Sequence, residues 1–195
     1  YEEIARVCRI GVDLGIRKKR LTGGEPLVRA DIPKLVAMIR RIPGIESVTM
    51  TTNGILLDKY LPELTDSGLD GVNISLDTLN RELFQKITRF DALPKVMDNI
   101  RAALDAGLKV KVNTVLLPRD FFEDCVVDWR EMLSLAEKLP VDLRFIELMP
   151  IGEGKQYYHV TGEEVLSSLQ RMFPGLQNDP AVHGSGPAVY YQIPG

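Results

Sequence analysis

Apolar residues recur along this chain with two spacings, and the two alternate. Ile4, Val7, Cys8 and Gly11 share one helical face and predict a helix over Tyr1–Leu14, closed by Gly15. A strand over Ile16–Thr22 follows. Ile32, Leu35, Val36, Ile39 and Ile42 form the next helical stripe, with Asp31 as its expected cap, Pro33 in its first turn and Gly44 at its end. Ser47–Thr52 predicts a second strand that stops at Asn53-Gly54. A short helix over Asp58–Asp66, closed by Gly68, leads to a third strand over Gly71–Leu76 and then Asp77.

Two helical pieces come next, Asn80–Ile87 and Ala92–Ala106. The second carries Leu93, Val96, Met97, Ile100, Ala103 and Leu104 on one face and stops at Gly107. Leu108–Leu117 reads as a long β-branched fourth strand. A helix from about Glu123 to Leu139 would hold Cys125, Trp129, Met132, Leu133 and Ala136 on one side. The fifth strand is Val141–Leu148, before Met149-Pro150. Thr161 and Glu164 form a capping box for a helix running through Phe173, and beyond Pro174 the reading is loop with one late strand.

Strand and helix therefore alternate throughout, which predicts a parallel sheet with crossover helices. Either a doubly wound sheet or a (β/α) barrel fits, and both place ligands at the carboxyl ends of strands.

Side chains along a strand alternate between two faces. One parity reads Lys18, Arg20 and Thr22; Thr49 and Thr51; Asn73 and Ser75; Lys111 and Asn113; Arg144. The other reads Val48 and Met50; Val72, Ile74 and Leu76; Val110 and Val112; Leu143 and Phe145. A sheet covered on both faces would be apolar on both parities. One polar parity on five strands predicts a curved sheet with a wet concave face. Cations there need anions, supplied by a triphosphate or carboxylate ligand, or by Glu25, Asp77 and Glu147 as a structural ion network. Lys19 breaks the pattern: it snorkels to an edge, or the register shifts by one at that point.

Composition narrows the classes. The chain has 195 residues and a net charge of −3, so no global basic field argues for nucleic acid. No apolar run is long enough to span a membrane, and no signal peptide opens the chain; a cytoplasmic setting is expected. Cys8 and Cys125 are the two cysteines, both on expected helix faces, so they read as buried thiols rather than a disulfide or metal pair. The chain starts in mid-helix without a methionine, which reads as a piece of a longer protein.

The first strand runs into Thr22-Gly23-Gly24-Glu25-Pro26. Two glycines let a backbone approach a ligand closely, and Glu25 offers a carboxylate to a ligand ammonium. A Gly-Gly turn alone is weak evidence.

Together with Thr51-Thr52-Asn53-Gly54, Asn73-Ile74-Ser75-Leu76-Asp77, Lys111-Val112-Asn113, Arg144-Phe145-Ile146-Glu147-Leu148-Met149-Pro150 and Gly186-Pro187-Ala188 with Tyr190-Tyr191, the stretch Arg20–Arg29 resembles the radical S-adenosylmethionine (SAM) superfamily. Within it, the chain is similar over essentially its whole length to the GTP 3′,8-cyclase family that opens molybdenum cofactor biosynthesis (MoaA family). The resemblance implies an α/β fold, an incomplete (β/α) barrel open on one side, whose first strand would precede Tyr1. It implies a barrel core over 1–150 and the start of a C-terminal region over 151–195. It implies two [4Fe–4S] clusters, one of which cleaves SAM reductively to a radical that abstracts hydrogen from the GTP ribose.

By the same resemblance Gly23, Gly24 and Glu25 would hold the SAM amino group, Ser75 and Met149 would contact SAM, and Arg144 would meet its carboxylate or a nearby phosphate. Arg20, Thr51 and Lys111 would contact GTP, with Lys18 a phosphate partner. GTP as substrate, an electron donor, a downstream cyclic pyranopterin synthase step and a homodimer are implied partners; nucleic acid and membrane are not. No residue here is implied as directly catalytic or as a metal ligand.

The chain also departs from the family pattern. Neither cysteine set for a cluster is present, Arg119–Asp124 stands where the family has a different helix entry, and Lys19 replaces an apolar residue. Alone, the chain is expected to leave SAM uncleaved. Two alternatives remain open: another radical SAM enzyme, or a cluster-less nucleotide-binding barrel.

Overall fold

A computed structural model describes residues 1–122, 125–181, 183 and 186–193. Its elements are α1 (Glu2–Asp13), β1 (Lys18–Leu21), α2 (Ile32–Arg40), β2 (Ser47–Thr52), α3 (Leu57–Asp66), β3 (Gly71–Ser75), α4 (Arg81–Thr88), α5 (Leu93–Asp105), β4 (Lys109–Leu116), α6 (Leu133–Lys138), β5 (Asp142–Glu147), α7 (Gly162–Met172), β6 (Gln177–Asn178) and β7 (Tyr191–Gln192). Short 3₁₀ turns cover Pro26–Val28, Trp129–Met132 and Gly152–Gln156.

Strands β1 to β5 form one parallel sheet in sequential order. A parallel crossover is right-handed almost without exception. Sequential order with no reversal therefore puts every crossover helix on one face. That excludes the doubly wound alternative, which needs a reversal point, and leaves an open partial barrel with β1 and β5 as its edges. The antiparallel pair β6–β7 is separate.

The core lies between the sheet and its helices. Val48, Met50, Val72, Ile74, Val110 and Val112 on the strands pack with Leu35, Val36 and Ile39 of α2, Leu57, Leu61 and Leu64 of α3, and Val96, Ile100 and Ala103 of α5. This is the apolar parity expected from the sequence, so the strand registers are as read. Lys19 sits on that parity, and its ammonium lies against Gly11 of α1, where a Cβ would come within 2.6 Å of Nζ. The register is not shifted; the missing side chain at Gly11 makes room for the lysine.

A second cluster, formed by Leu116, Trp129, Leu133, Val165 and Leu169 with Val160, Phe173, Leu176 and Ile193 beside them, ties α7 and the chain beyond it to β5.

Several local expectations change. The helix expected from Glu123 begins outside the described residues, and within them it is much shorter. Asp128 accepts the amide of Arg130 and opens the 3₁₀ turn Trp129–Met132, which runs into α6. Cys125 consequently lies in an extended bridge with Phe122 rather than on a helix. Both cysteines are free and only partly buried.

Asp31 stands at the N-cap of α2, but in a left-handed backbone (φ 55°) and without a side-chain cap bond. One of the two amides a cap side chain reaches belongs here to Pro33, which has no N–H. Thr161 and Glu164 do form the expected capping box. The strand ends draw in by one or two residues, because a parallel ladder stops where its shorter partner stops.

Candidate functional site

The turn after β1 is fixed to the end of β2 by one carboxylate. Glu25 Oε1 accepts the Leu27 amide at 3.0 Å and the Thr52 hydroxyl at 2.6 Å, and Oε2 accepts the Asn53 amide at 2.7 Å. A carboxylate has about four acceptor positions, so one remains. Gly23 and Gly24 face open space: a Cβ at either would meet nothing within 4 Å. Their backbone groups make no backbone hydrogen bond among the described residues. The turn thus offers free amides and carbonyls plus one acidic acceptor position.

Gly54 completes the second rim turn. Its φ is +77°, and a Cβ would crowd Ile74 at 3.2 Å and Val96 at 3.4 Å. Buried Asn99 of α5 donates to its carbonyl at 2.7 Å. The third rim turn holds exposed Ser75 and, two residues on, Asp77, whose carboxylate accepts the Val115 amide at 2.8 Å. Burial pushes the Asp77 carboxyl above its ordinary value, and the Val115 amide only partly opposes this. Met149 follows β5 and is 65% exposed. Residues 23–25, 53–54, 75–77 and 149 all lie at or just beyond carboxyl ends of strands, where ligands bind in such sheets.

Below this rim the concave face is layered by the strand register. Ser75, Asn113 and Arg144 share the upper row. Thr51, Asn73, Lys111 and Asp142 share the next. Arg20 pairs with Thr49 a row further down, and Lys18 with Ser47 below that. The structure thus brings Thr51 and Lys111 into one row and Arg144 just above. Arg20 and Lys18 lie one and two rows below Thr51, on the far edge strand. Both are exposed and unpaired among the described residues.

The alternative of a structural ion network through Glu25, Asp77 and Glu147 is not what forms. Glu25 and Asp77 bind backbone and hydroxyl groups, and Glu147 accepts the Gly162 amide at 2.6 Å. The counter-ion of Lys111 is Asp142, its neighbour on β5. Asp142 lies on the polar parity two residues before Arg144, so alternation alone could have found it.

Three further residues come from the chain's late segment. The Tyr190 hydroxyl accepts from Lys111 Nζ at 3.1 Å and from Arg144 Nη2 at 2.6 Å. Its ring stacks on His183 with centroids 4.3 Å apart. His183 lies between Asp142, 3.3 Å from Nδ1, and Asp179, 2.7 Å from Nε2. The Ala181 amide, and then His183 and Gln192, hold the Asp179 carboxyl below its ordinary value. Spacing could not have shown these contacts, because they join residues up to 79 positions apart.

Among the described residues no group of three or more His, Cys, Asp or Glu side chains could hold a metal ion. No helix among them is long and apolar enough to cross a membrane.

The family model of the radical SAM superfamily matches residues 1–128. A GTP 3′,8-cyclase from Clostridium perfringens (strain SM101) is 47% identical over 194 residues, covering all of this chain and 59% of that protein. One from Moorella thermoacetica is 43% identical over 199 residues, again across the whole chain and 59% of the relative. Molybdenum cofactor biosynthesis protein 1 of Drosophila melanogaster is 41% identical over 199 residues, all of this chain and 34% of its own length. The chain thus spans about three fifths of the bacterial relatives it matches. The HMG-CoA lyase of Brucella melitensis aligns with 76% of this chain and 54% of its own at 16% identity, with a TM-score of 0.49. With the family model covering well over half of its residues, the chain belongs to the radical SAM superfamily.

Proposed function

We propose that this chain is the barrel core of a GTP 3′,8-cyclase, which converts GTP to its 3′,8-cyclised product in the first step of molybdenum cofactor biosynthesis. The observation that carries the reading is its 40–47% identity, across the whole chain, to proteins of that name. In this reading residues 1–150 are the core and 151–195 begin a C-terminal region.

The site residues fit SAM. Gly23 and Gly24 leave a bare backbone beside open space, and Glu25 keeps one acceptor position for an ammonium. Ser75 and Met149 would complete that side from the rim, with Arg144 towards a carboxylate or phosphate. Bound SAM would supply hydrogen-atom abstraction only after one-electron reductive cleavage, with the electron coming from an electron donor. Thr51 and Lys111, together with Arg20 and Lys18, would face GTP, the cations meeting phosphate oxygens. A [4Fe–4S] cluster does not fit the described residues of this chain, which bring together no set of ligands for one, and no step is derived through it. An electron donor, a downstream pyranopterin synthase step and a homodimer belong to the same proposal.

The test is differential binding on the complete polypeptide. Arg20→Ala or Lys111→Ala should weaken GTP binding about tenfold or more, as loss of one charge-assisted contact does, and leave SAM binding within about twofold. Equal loss of both ligands would point to a radical SAM enzyme with another substrate.

A further inference from the structure

Lys111 and Arg144 stand on neighbouring strands, and donors of both converge on one neutral oxygen. Tyr190 Oη accepts from Nζ at 3.1 Å and from Nη2 at 2.6 Å. A hydroxyl has two acceptor lone pairs, so both are taken. Two converging cations suit an oxygen that carries negative charge, since charge-assisted bonds are about twice as strong as neutral ones. Beside this point the Arg144 Nε–H is buried with no acceptor. The guanidinium therefore keeps one buried N–H without an acceptor, while Nη1 donates to Asn113 Oδ1 at 3.4 Å and Nη2 to Tyr190.

Tyr190 is also carried so that its side chain can leave. The ladder around it is minimal: Asn178 pairs with Tyr191 and Gln177 with Gln192. Leu176 and Ile193, outside that pair, are the residues that pack into apolar surroundings. The main chain of Tyr190 accepts the Asp179 amide at 2.8 Å. Rotation of the side chain breaks none of these contacts. It breaks the two bonds to the cations, the contacts of Lys111 and Arg144 with the ring face (4.8 and 5.9 Å to the centroid) and the stack on His183.

We propose that Tyr190 is the resident competitor of this anion site: its phenol oxygen holds the place of a ligand phosphate oxygen and swings off Lys111 and Arg144 when the ligand binds. This rests on the reading that Lys111 faces the GTP phosphates. The consequence is a site whose two cations stay hydrogen-bonded when empty. The affinity gained by a phosphate is reduced by the bonds it must displace.

The probe is inorganic triphosphate, titrated calorimetrically into the complete polypeptide as wild type, Tyr190→Phe and Lys111→Met. Tyr190→Phe should bind it more tightly by about tenfold or more, because the two displaced hydrogen bonds no longer oppose binding. Unchanged or weaker binding by Tyr190→Phe overturns the competitor role. Lys111→Met should lose binding; if it does not, or if the wild type binds no triphosphate, the underlying phosphate reading fails and the competitor role with it. A second measurement does not depend on the Phe variant folding. With 3-fluorotyrosine placed at position 190 alone, the fluorine resonance should shift as triphosphate saturates the site. A resonance that stays put at saturation overturns the proposal.

Discussion

The carboxylate of Glu25 accepts the hydroxyl of Thr52 from 2.6 Å away, across 27 residues of chain. Thr52 is 2% exposed and lies on the apolar parity of β2, so its hydroxyl needs a partner. It receives one and gives one: its oxygen in turn accepts the Gly54 amide at 3.1 Å. Two rim turns are thereby held by one acid.

That acid should not tolerate its own amide. Glu25→Gln keeps one acceptor oxygen, but its NH₂ must face either the Asn53 amide or the pair Leu27 and Thr52, all donors in the present arrangement. A donor set against a donor leaves a group unsatisfied at about 1–3 kcal/mol. Urea unfolding should show a loss in that range, and SAM binding should weaken as well. Retention of wild-type stability would mean that Glu25 does not join the two turns.

Gly54 is the position where the rim requires glycine. Its φ of +77° disfavours any side chain, and a Cβ would press on Ile74 at 3.2 Å and Val96 at 3.4 Å. Gly54→Ala should cost about 1–2 kcal/mol for the left-handed backbone, and more if the two core residues cannot give. Gly107, also left-handed (φ +79°), has nothing within 4 Å of its Cβ position. Gly107→Ala should therefore cost the backbone amount alone. Comparing the two melting curves separates crowding at the site from conformational strain.

Asp77 should make the fold less stable as pH rises. Burial raises its folded-state pKa above the unfolded value of 3.8. Between those two values the folded chain binds more protons than the unfolded one, so stability falls as pH increases through that window and stays lower above it. Asp77→Asn keeps an oxygen for the Val115 amide and removes the titration. The variant should be at least as stable as the parent at neutral pH and lack this downward slope above pH 3.8. A parent slope unchanged in the variant would assign the effect to another group.

The strand faces were legible because period-two alternation is dictated by backbone geometry: Lys111, Asn113 and Arg144 stand where parity puts them, and so does the apolar row from Val48 to Val112. The rim turns were legible because Gly-Gly and Asn-Gly pairs mark backbone that ordinary side chains resist. The chain from Cys125 to Asp128 was not, because helical spacing of Trp129, Met132 and Leu133 extends backwards on paper while Asp128 ends it in space by capping Arg130. His183 and Asp179, and the part Tyr190 plays beside them, were invisible for a different reason. Their roles come from tertiary contact with β4 and β5, and no local period encodes it.

Gly11 and Lys19 give the sharpest test of how the helix layer meets the sheet. In α1, replacing Gly11 by Ala should gain about 1 kcal/mol of helix propensity. Opposing this, the new Cβ would lie 2.6 Å from the Lys19 ammonium, with Ile16 no closer than 3.7 Å. The crowded atom is the far end of a flexible side chain that is only partly buried, so it can move outward with its charge hydrated. The propensity gain should win, and Gly11→Ala should raise the midpoint of thermal unfolding. In the Lys19→Met background the obstructing group is an uncharged methyl that prefers burial and yields less readily to water. There the gain should shrink or reverse, giving a measurable coupling between the two sites. Additive effects in this cycle would mean that Lys19 does not use the space left by Gly11, and that the lysine on the apolar parity is accommodated in another way.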